Sequence, residues 1–279
     1  MGRTENISVF RDTSQMCKTN QRLKAAIKES SSRQEMIPGS EPFELTVKPR
    51  SISAQVIVSR KRTLEAAGSY ALSGERVCVL NFASASNPGG GVVNGSSAQE
   101  EAICRCSTMY SSLIRPELWE CFYGPHREAN DPLHNDDCIY TPGVVVFKTD
   151  TDVPRTMPEE SWYTVDVVTC AAPNLRESPS NRMNYDGDTP AVIGNAELQA
   201  LHEQRLRRIL SIAAGKGCDD VILGAFGCGA FRNPPEVAAA AAARAVGEFS
   251  RYFSTIEFAV YCSPGDDTNY REFEKALRK

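Results

Sequence analysis

The sequence predicts an α/β layered architecture. From about residue 55 to the end, short apolar runs of strand length alternate with helical patterns. Two of those runs, Arg76 to Phe82 and Asp220 to Leu223, each feed a glycine-rich loop that opens into a helix. No internal repeat or coiled-coil heptad interrupts the alternation.

The elements follow in order. Residues 6 to 30 carry Ile7, Val9, Phe10, Leu23, Ala26 and Ile27 at helical spacing, which predicts one or two helices. Residues 31 to 50 are rich in Ser, Pro and Glu and read as a loop. Val56 to Val58 is a short strand, and Thr63 to Leu72 a helix with Thr63 as its cap. Val77 to Leu80 has no polar break, as a buried strand requires. A loop from Ser84 to Gly95 precedes a helix from about Ala98 to Leu113. Residues 114 to 138 hold Pro116, Pro125 and Pro132 and read as irregular. Strands are expected at Gly143 to Phe147, Val165 to Cys170 and Ile256 to Tyr261, with a polar surface loop at Glu177 to Thr189. Ala196 to Ala214, Pro234 to Tyr252 and Asn269 to Leu277 are the remaining helices. Residues 1–50 are expected to be a helical extension packed on a main domain of residues 51–279.

Composition sets the outer bounds. The chain has 279 residues, 41% hydrophobic and 24% charged, enough to bury a core without disulfides or metals. No apolar run is long enough for a membrane helix, and the first residues lack the layout of a secretory signal and match a myristoylation site poorly. A net charge of −4 argues against a DNA or RNA footprint. It leaves room for a small anionic ligand, because a few backbone amides can hold a diphosphate without a basic patch. The ten cysteines are scattered, with no Cys-x-x-Cys. Buried free thiols in a reducing compartment are expected, with no metal site and no cofactor. The expected location is cytoplasmic, or nucleocytoplasmic in a eukaryote, and the expected state is a monomer.

Two motifs carry chemistry. In the first, Asn81 to Phe82 leads through Asn87-Pro88-Gly89-Gly90-Gly91 to Gln99-Glu100-Glu101 seven residues on. Three consecutive glycines let a ligand approach the backbone, and the helix start offers free amides. Ser97-x-x-Glu100 reads equally as a capping box. Glu101 lies about 100° further round the helix. It has two open readings, a surface ion pair with Arg105 at i+4 or a site role.

The second motif is Gly224-Ala225-Phe226-Gly227-Cys228-Gly229-Ala230-Phe231-Arg232-Asn233-Pro234-Pro235-Glu236. Asn233 suits the N-cap, Pro234 the first helical position and Glu236 the third. The glycine order matches neither a dinucleotide fold nor a Walker loop, yet the loop has the physics of a diphosphate cradle. Two such loops in one sheet suggest a ligand with a diphosphate between polar rings. Other signals are weak. His126, His134 and His202 show no ligand spacing, and Thr169 to Asn174 could line a pocket or simply turn.

These segments resemble the poly(ADP-ribose) glycohydrolases, whose signature is a triple glycine, six to eight residues, then Gln-Glu-Glu. The flanking Val79 to Ala85, Thr169 to Asn174 and Gly224 to Pro235 look like the shorter, microbial-type branch. The resemblance covers about residues 55 to 265. It implies a macrodomain-like three-layer α/β/α sandwich with a mixed central sheet, binding ADP-ribose in a cleft across its top. It implies Glu101 as the catalytic acid/base, with Glu100 orienting ribose hydroxyls. Asn87 would hold the terminal ribose, Gly89, Gly90 and Gly91 would wrap it, and Gln99 would join the substrate-binding set. Gly227, Cys228, Gly229, Ala230 and Phe231 would bind the diphosphate, and Phe226 or Phe231 would pack on the terminal ribose. The implied partners are poly(ADP-ribose), ADP-ribosylated proteins and the ADP-ribose product.

Glycosidases commonly flank the bond with two carboxylates. Neighbours on one helix are poorly placed to do so, and a scheme with Glu101 as sole acid/base follows. A module that reads ADP-ribose without cutting it, and a hydrolase of mono-ADP-ribosylated protein, are the rival readings.

Overall fold

The computed structural model describes residues 2–181 and 184–278. Two helices come first, α1 (Arg3–Thr19) and α2 (Gln21–Ser32), followed by β1 (Glu35–Ile37), β2 (Gln55–Ser59), α3 (Thr63–Ala71) and β3 (Val77–Phe82). Next are α4 (Gln99–Cys106), α5 (Met109–Leu113), α6 (Pro116–Leu118), a π-helical turn at Trp119–Tyr123 and α7 (Gly124–Ala129). The chain ends with β4 (Cys138–Val146), β5 (Tyr163–Cys170), α8 (Asn195–Gly215), β6 (Asp220–Leu223), α9 (Pro235–Phe249), β7 (Thr255–Ala259) and α10 (Thr268–Leu277).

The strands form one mixed seven-stranded sheet in the order β1-β4-β5-β3-β6-β7-β2. Five run parallel, while β4 and β1 pair antiparallel at one edge. Alternation along the strands supplies both faces. Cys78, Leu80, Val221, Leu223, Ile256 and Phe258 pack with α8 and α9. Val77, Val79, Val167 and Ile222 pack with α3, α4 and α5 on the opposite face. This is a macrodomain-like α/β/α arrangement. Each fully buried aliphatic side chain contributes roughly 1.5–3 kcal/mol.

The helix after β3 packs on one face and the helix after β6 on the other. The loops leaving these neighbouring strands therefore part at their carboxyl ends, where open α/β sheets form their crevice.

Several expectations change in detail. The region expected to be a loop contains β1, whose three residues are too few to show a period. The helix expected over 98–113 breaks at Ser107. The backbone of Cys106 and Thr108 pairs with Val145, Phe147 and Lys148, and Ser107 itself bridges Val146. The strand expected to start at Gly143 starts at Cys138 and crosses Pro142-Gly143 on a bulge. Residues 116–129 are largely helical because Pro116 and Pro125 sit in first turns, where a missing N–H costs nothing. Arg62, not Thr63, is the N-cap of α3, and Asp150 accepts the Leu64 amide at 3.0 Å.

The first helix is tied to the main body through polar contacts. Asn6 Nδ2 donates to the Gly95 carbonyl at 3.0 Å, Arg3 Nε to the Asn94 carbonyl at 2.7 Å, and Thr13 Oγ1 to the Arg105 carbonyl. These contacts brace the stretch between the triple glycine and α4.

Candidate active site

The Gly-Gly-Gly loop and α4 form one wall of a cleft of about 430 Å³. The N-cap of α4 is Ala98, with no side-chain cap, so the expected capping box of Ser97 and Glu100 does not form. Glu100 is pulled the other way. Its Oε2 accepts the Ser84 amide at 2.8 Å, and its Oε1 accepts Asn81 Nδ2 at 3.2 Å. Glu101 is no surface residue either. Its Oε1 accepts the Gly91 amide at 2.9 Å, while Arg105 is buried and donates to the Ser96 carbonyl.

Both carboxyls are buried and line the cleft. Burial, and then the neighbouring Glu101 charge, push Glu100 up to about 8. Burial also raises Glu101 above the usual carboxylate range. Both acids thus favour their protonated forms more than free carboxyls do.

Gly90 explains the glycine. Its φ is +56°, and an added Cβ would stand 2.6 Å from Glu101 Oε1 and 3.1 Å from Glu100 Oε2. Only a residue without a side chain fits between the cleft and these carboxyls. Gly89 backs onto Tyr110 and Cys104, and Gly91 lends its amide to Glu101. Asn87 closes the loop by donating its side-chain amide to the Gly90 carbonyl. Gln99 lines the cleft, but its amide is engaged with β3. Its Oε1 accepts the Phe82 amide at 2.9 Å and its Nε2 donates to the Leu80 carbonyl at 2.7 Å.

The opposite wall is the loop after β6. Gly227, Gly229, Ala230 and Phe231 line the cleft, whereas Phe226 and Cys228 do not. Phe226 is buried against Phe82 and His202. Burial pushes the half-buried Cys228 thiol up to about 12. Among the described residues, no protein acceptor meets the amides of Gly229, Ala230 and Phe231. Consecutive unclaimed amides are an anion-binding concavity.

Asn233 is not the cap of α9; Pro234 is. Asn233 instead staples the loop, donating Nδ2 to the Pro173 carbonyl at 2.6 Å and the Gly227 carbonyl at 3.0 Å. Its Oδ1 accepts from His202 Nε2 at 2.8 Å, and burial lowers His202 to about 4, so the ring is neutral. With Pro at positions 234 and 235, the helix start itself offers few amides, and the loop supplies them.

Sequence reasoning missed a brace behind the first loop. The expected surface loop at 177–189 carries a buried acid, Asp186, although residues 182 and 183 lie outside the described residues. Asp186 accepts Ser86 Oγ at 2.8 Å and Asn174 Nδ2 at 2.9 Å, with His134 Nε2 at 3.7 Å. Burial pushes Asp186 up, but His134, Ser86 and Asn174 outweigh it and hold the carboxyl below its usual range. Asn184 accepts Ser84 Oγ at 2.9 Å and lines the cleft. A long, irregular connection gives no period from which such contacts can be read.

Comparison with known proteins follows the same lines. A search of curated proteins finds no match. Solved structures do match. The poly(ADP-ribose) glycohydrolase of Thermomonospora curvata superposes with a TM-score of 0.83 at 28% identity, covering 98% of this chain and 100% of that one. The same enzyme bound to the inhibitor ADP-HPD gives 0.81 at 29% identity, covering 98% and 99%. The poly(ADP-ribose) glycohydrolase of Deinococcus radiodurans in complex with ADP-ribose gives 0.75 at 29% identity, covering 90% and 96%. The family model of the microbial-type PARG catalytic domain matches residues 4–149, more than half of the chain. With that match, the chain belongs to the microbial-type poly(ADP-ribose) glycohydrolases, and it is a glycosidase of that family.

Proposed function

We propose that Glu101 is the acid/base of ribose–ribose bond hydrolysis in this chain, and that ADP-ribose lies across the cleft between the two loops. One observation carries the reading. Two buried carboxyls with raised proton affinity stand on one wall, and consecutive free amides stand on the other.

The diphosphate would sit on the amides of Gly229, Ala230 and Phe231, with Phe231 against the ribose rather than Phe226. That seat places the terminal ribose against Gly90 and the two carboxyls. Glu101, protonated, gives its proton to the leaving 2′-oxygen of the neighbouring ribose as the C–O bond breaks through an oxocarbenium-like state. Water then adds to the anomeric carbon and returns a proton to Glu101. The nearby diphosphate stabilises the passing positive charge.

Glu100 does different work. Bound to the Ser84 amide and Asn81, it fixes the loop and offers the remaining acceptor capacity to ribose hydroxyls. Gln99 and Asn87 are positioning residues, since their amides are engaged with the backbone of β3 and of the loop. Residues 51–279 would form the catalytic unit, with residues 1–50 bracing it. Ten free cysteines, seven of them buried, suit a reducing compartment, and the cytoplasm is the proposed location. No described helix is long and apolar enough to cross a membrane.

The test is product chromatography after mixing the protein with poly(ADP-ribose). Wild type is expected to release ADP-ribose. Glu101→Gln is expected to lower kcat about 1000-fold, the scale of lost acid–base catalysis, with ADP-ribose affinity kept. Binding of ADP-ribose by wild type without release would favour a reader. A near-normal rate for Glu101→Gln would remove Glu101 from the role.

A further inference from the structure

The outer side of the Gly-Gly-Gly loop carries an aromatic and cationic strip that the cleft does not use. Arg127, on α7, donates Nε to the Ser86 carbonyl at 2.7 Å. Its guanidinium lies 4.8 Å over the Trp119 ring. Trp119 is 43% exposed, yet it is held in place by stacking on buried Tyr123, with ring centroids 6.3 Å apart at 29°.

Tyr185, 41% exposed, donates its amide to Ser86 Oγ at 2.8 Å. Its hydroxyl donates to Asp188 at 3.4 Å, and Asp188 also accepts from Asn130, the residue that ends α7. The strip is continuous with the cleft, since Asn184 lines the cleft and Tyr185 follows it onto the surface.

A single exposed aromatic is ordinary. Here an exposed aromatic lies against a guanidinium, and both Arg127 and Tyr185 are hydrogen-bonded to Ser86 of the loop that holds the carboxyls. A fixed aromatic face receives a base by stacking, and a guanidinium beside it receives a phosphate. We propose that this strip is a subsite for the ADP-ribose unit next to the one in the cleft, with its adenine on Trp119 and a phosphate at Arg127. The inference rests on the polymer being the substrate. Glu120 and Glu128 on the same segment and the net charge of −4 limit the contact to one unit rather than a long polyanion track.

Trp119→Ala and Trp119→Tyr, made in the full chain, test it. KM and kcat are measured on free poly(ADP-ribose), and ADP-ribose affinity by calorimetry reports the cleft alone. Trp119→Ala is expected to raise the polymer KM about 10-fold, the scale of one lost stacking platform. Its kcat and ADP-ribose Kd are expected to match wild type, and Trp119→Tyr to restore KM. An unchanged KM overturns the proposal. A parallel loss of ADP-ribose affinity overturns it too, because the change then acts through the cleft. A defect confined to protein-attached polymer would assign the strip to the carrier protein instead. Failure of wild type to release ADP-ribose would break the proposed activity, and polymer affinity of wild type against Trp119→Ala would still decide the strip.

Discussion

The two glycine-rich loops share one sequence grammar and use it in opposite ways. In the loop after β3, the amides turn inward. Those of Ser84 and Gly91 hold Glu100 and Glu101, and that of Gly90 closes on the Asn87 carbonyl. In the loop after β6, the amides of Gly229, Ala230 and Phe231 meet no protein acceptor among the described residues. The first loop positions acids, and the second is free to receive an anion. Strand, glycines and helix together announce a ligand crevice, but the hydrogen-bond ledger of the loop says what each wall does.

The contrast can be broken at single glycines. Gly90→Ala has the largest expected effect, because its Cβ would displace the Glu101 carboxyl. We expect kcat to fall about 100-fold, as a misplaced catalytic group does. The positive φ should cost more than about 1 kcal/mol of stability, measured by urea unfolding. Retention of full activity would show that the first loop tolerates a side chain and does not position the acids.

The acid wall has a second signature, in pH. Glu100 holds its proton up to about 8 when folded, against 4.5 when free. Between these values the folded state binds the extra proton, so stability is fully present below 4.5 and is lost as pH rises toward 8. Burial gives Glu101 the same sign. The thermal midpoint is expected to drop by about 5 °C between pH 5.5 and pH 8.5. Glu100→Gln should flatten that slope, and an unchanged slope would place the proton elsewhere.

The smallest expected effect is at Gly229. No atom lies within 4 Å of an added Cβ there, and its φ is not positive. Gly229→Ala should leave stability within about 0.5 kcal/mol by urea unfolding. It should weaken ADP-ribose binding a few-fold in calorimetry, since Gly229 lines the cleft. Loss of stability comparable to Gly90→Ala would erase the distinction between the loops.

Much of the fold was legible because it rests on short-range patterns. The apolar runs at Val77 to Leu80 and Asp220 to Leu223 can only be buried strands, and α8 and α9 carry clear helical periods. The break at Ser107 was not legible, because the periodicity runs on through it and only pairing with β4 ends the helix. Glu100 and Glu101 show the same limit. As local patterns Glu100 reads as a cap, and Glu101 as either a surface ion pair or a site residue. They became cleft acids because a loop beginning sixteen residues earlier folds over them and claims their oxygens.

By itself, the sequence determined the α/β alternation, the two strand–glycine–helix units and the presence of a Gln-Glu-Glu at a helix start, since each depends on the period and spacing of neighbouring residues. Only the tertiary structure decided which amides stay free, which carboxyls lose their water, that Phe231 rather than Phe226 meets the cleft, and that Asp186 braces the loop from 100 residues away. Those are matters of burial and of hydrogen bonds between distant segments, and no local pattern encodes a partner that the fold has yet to bring near.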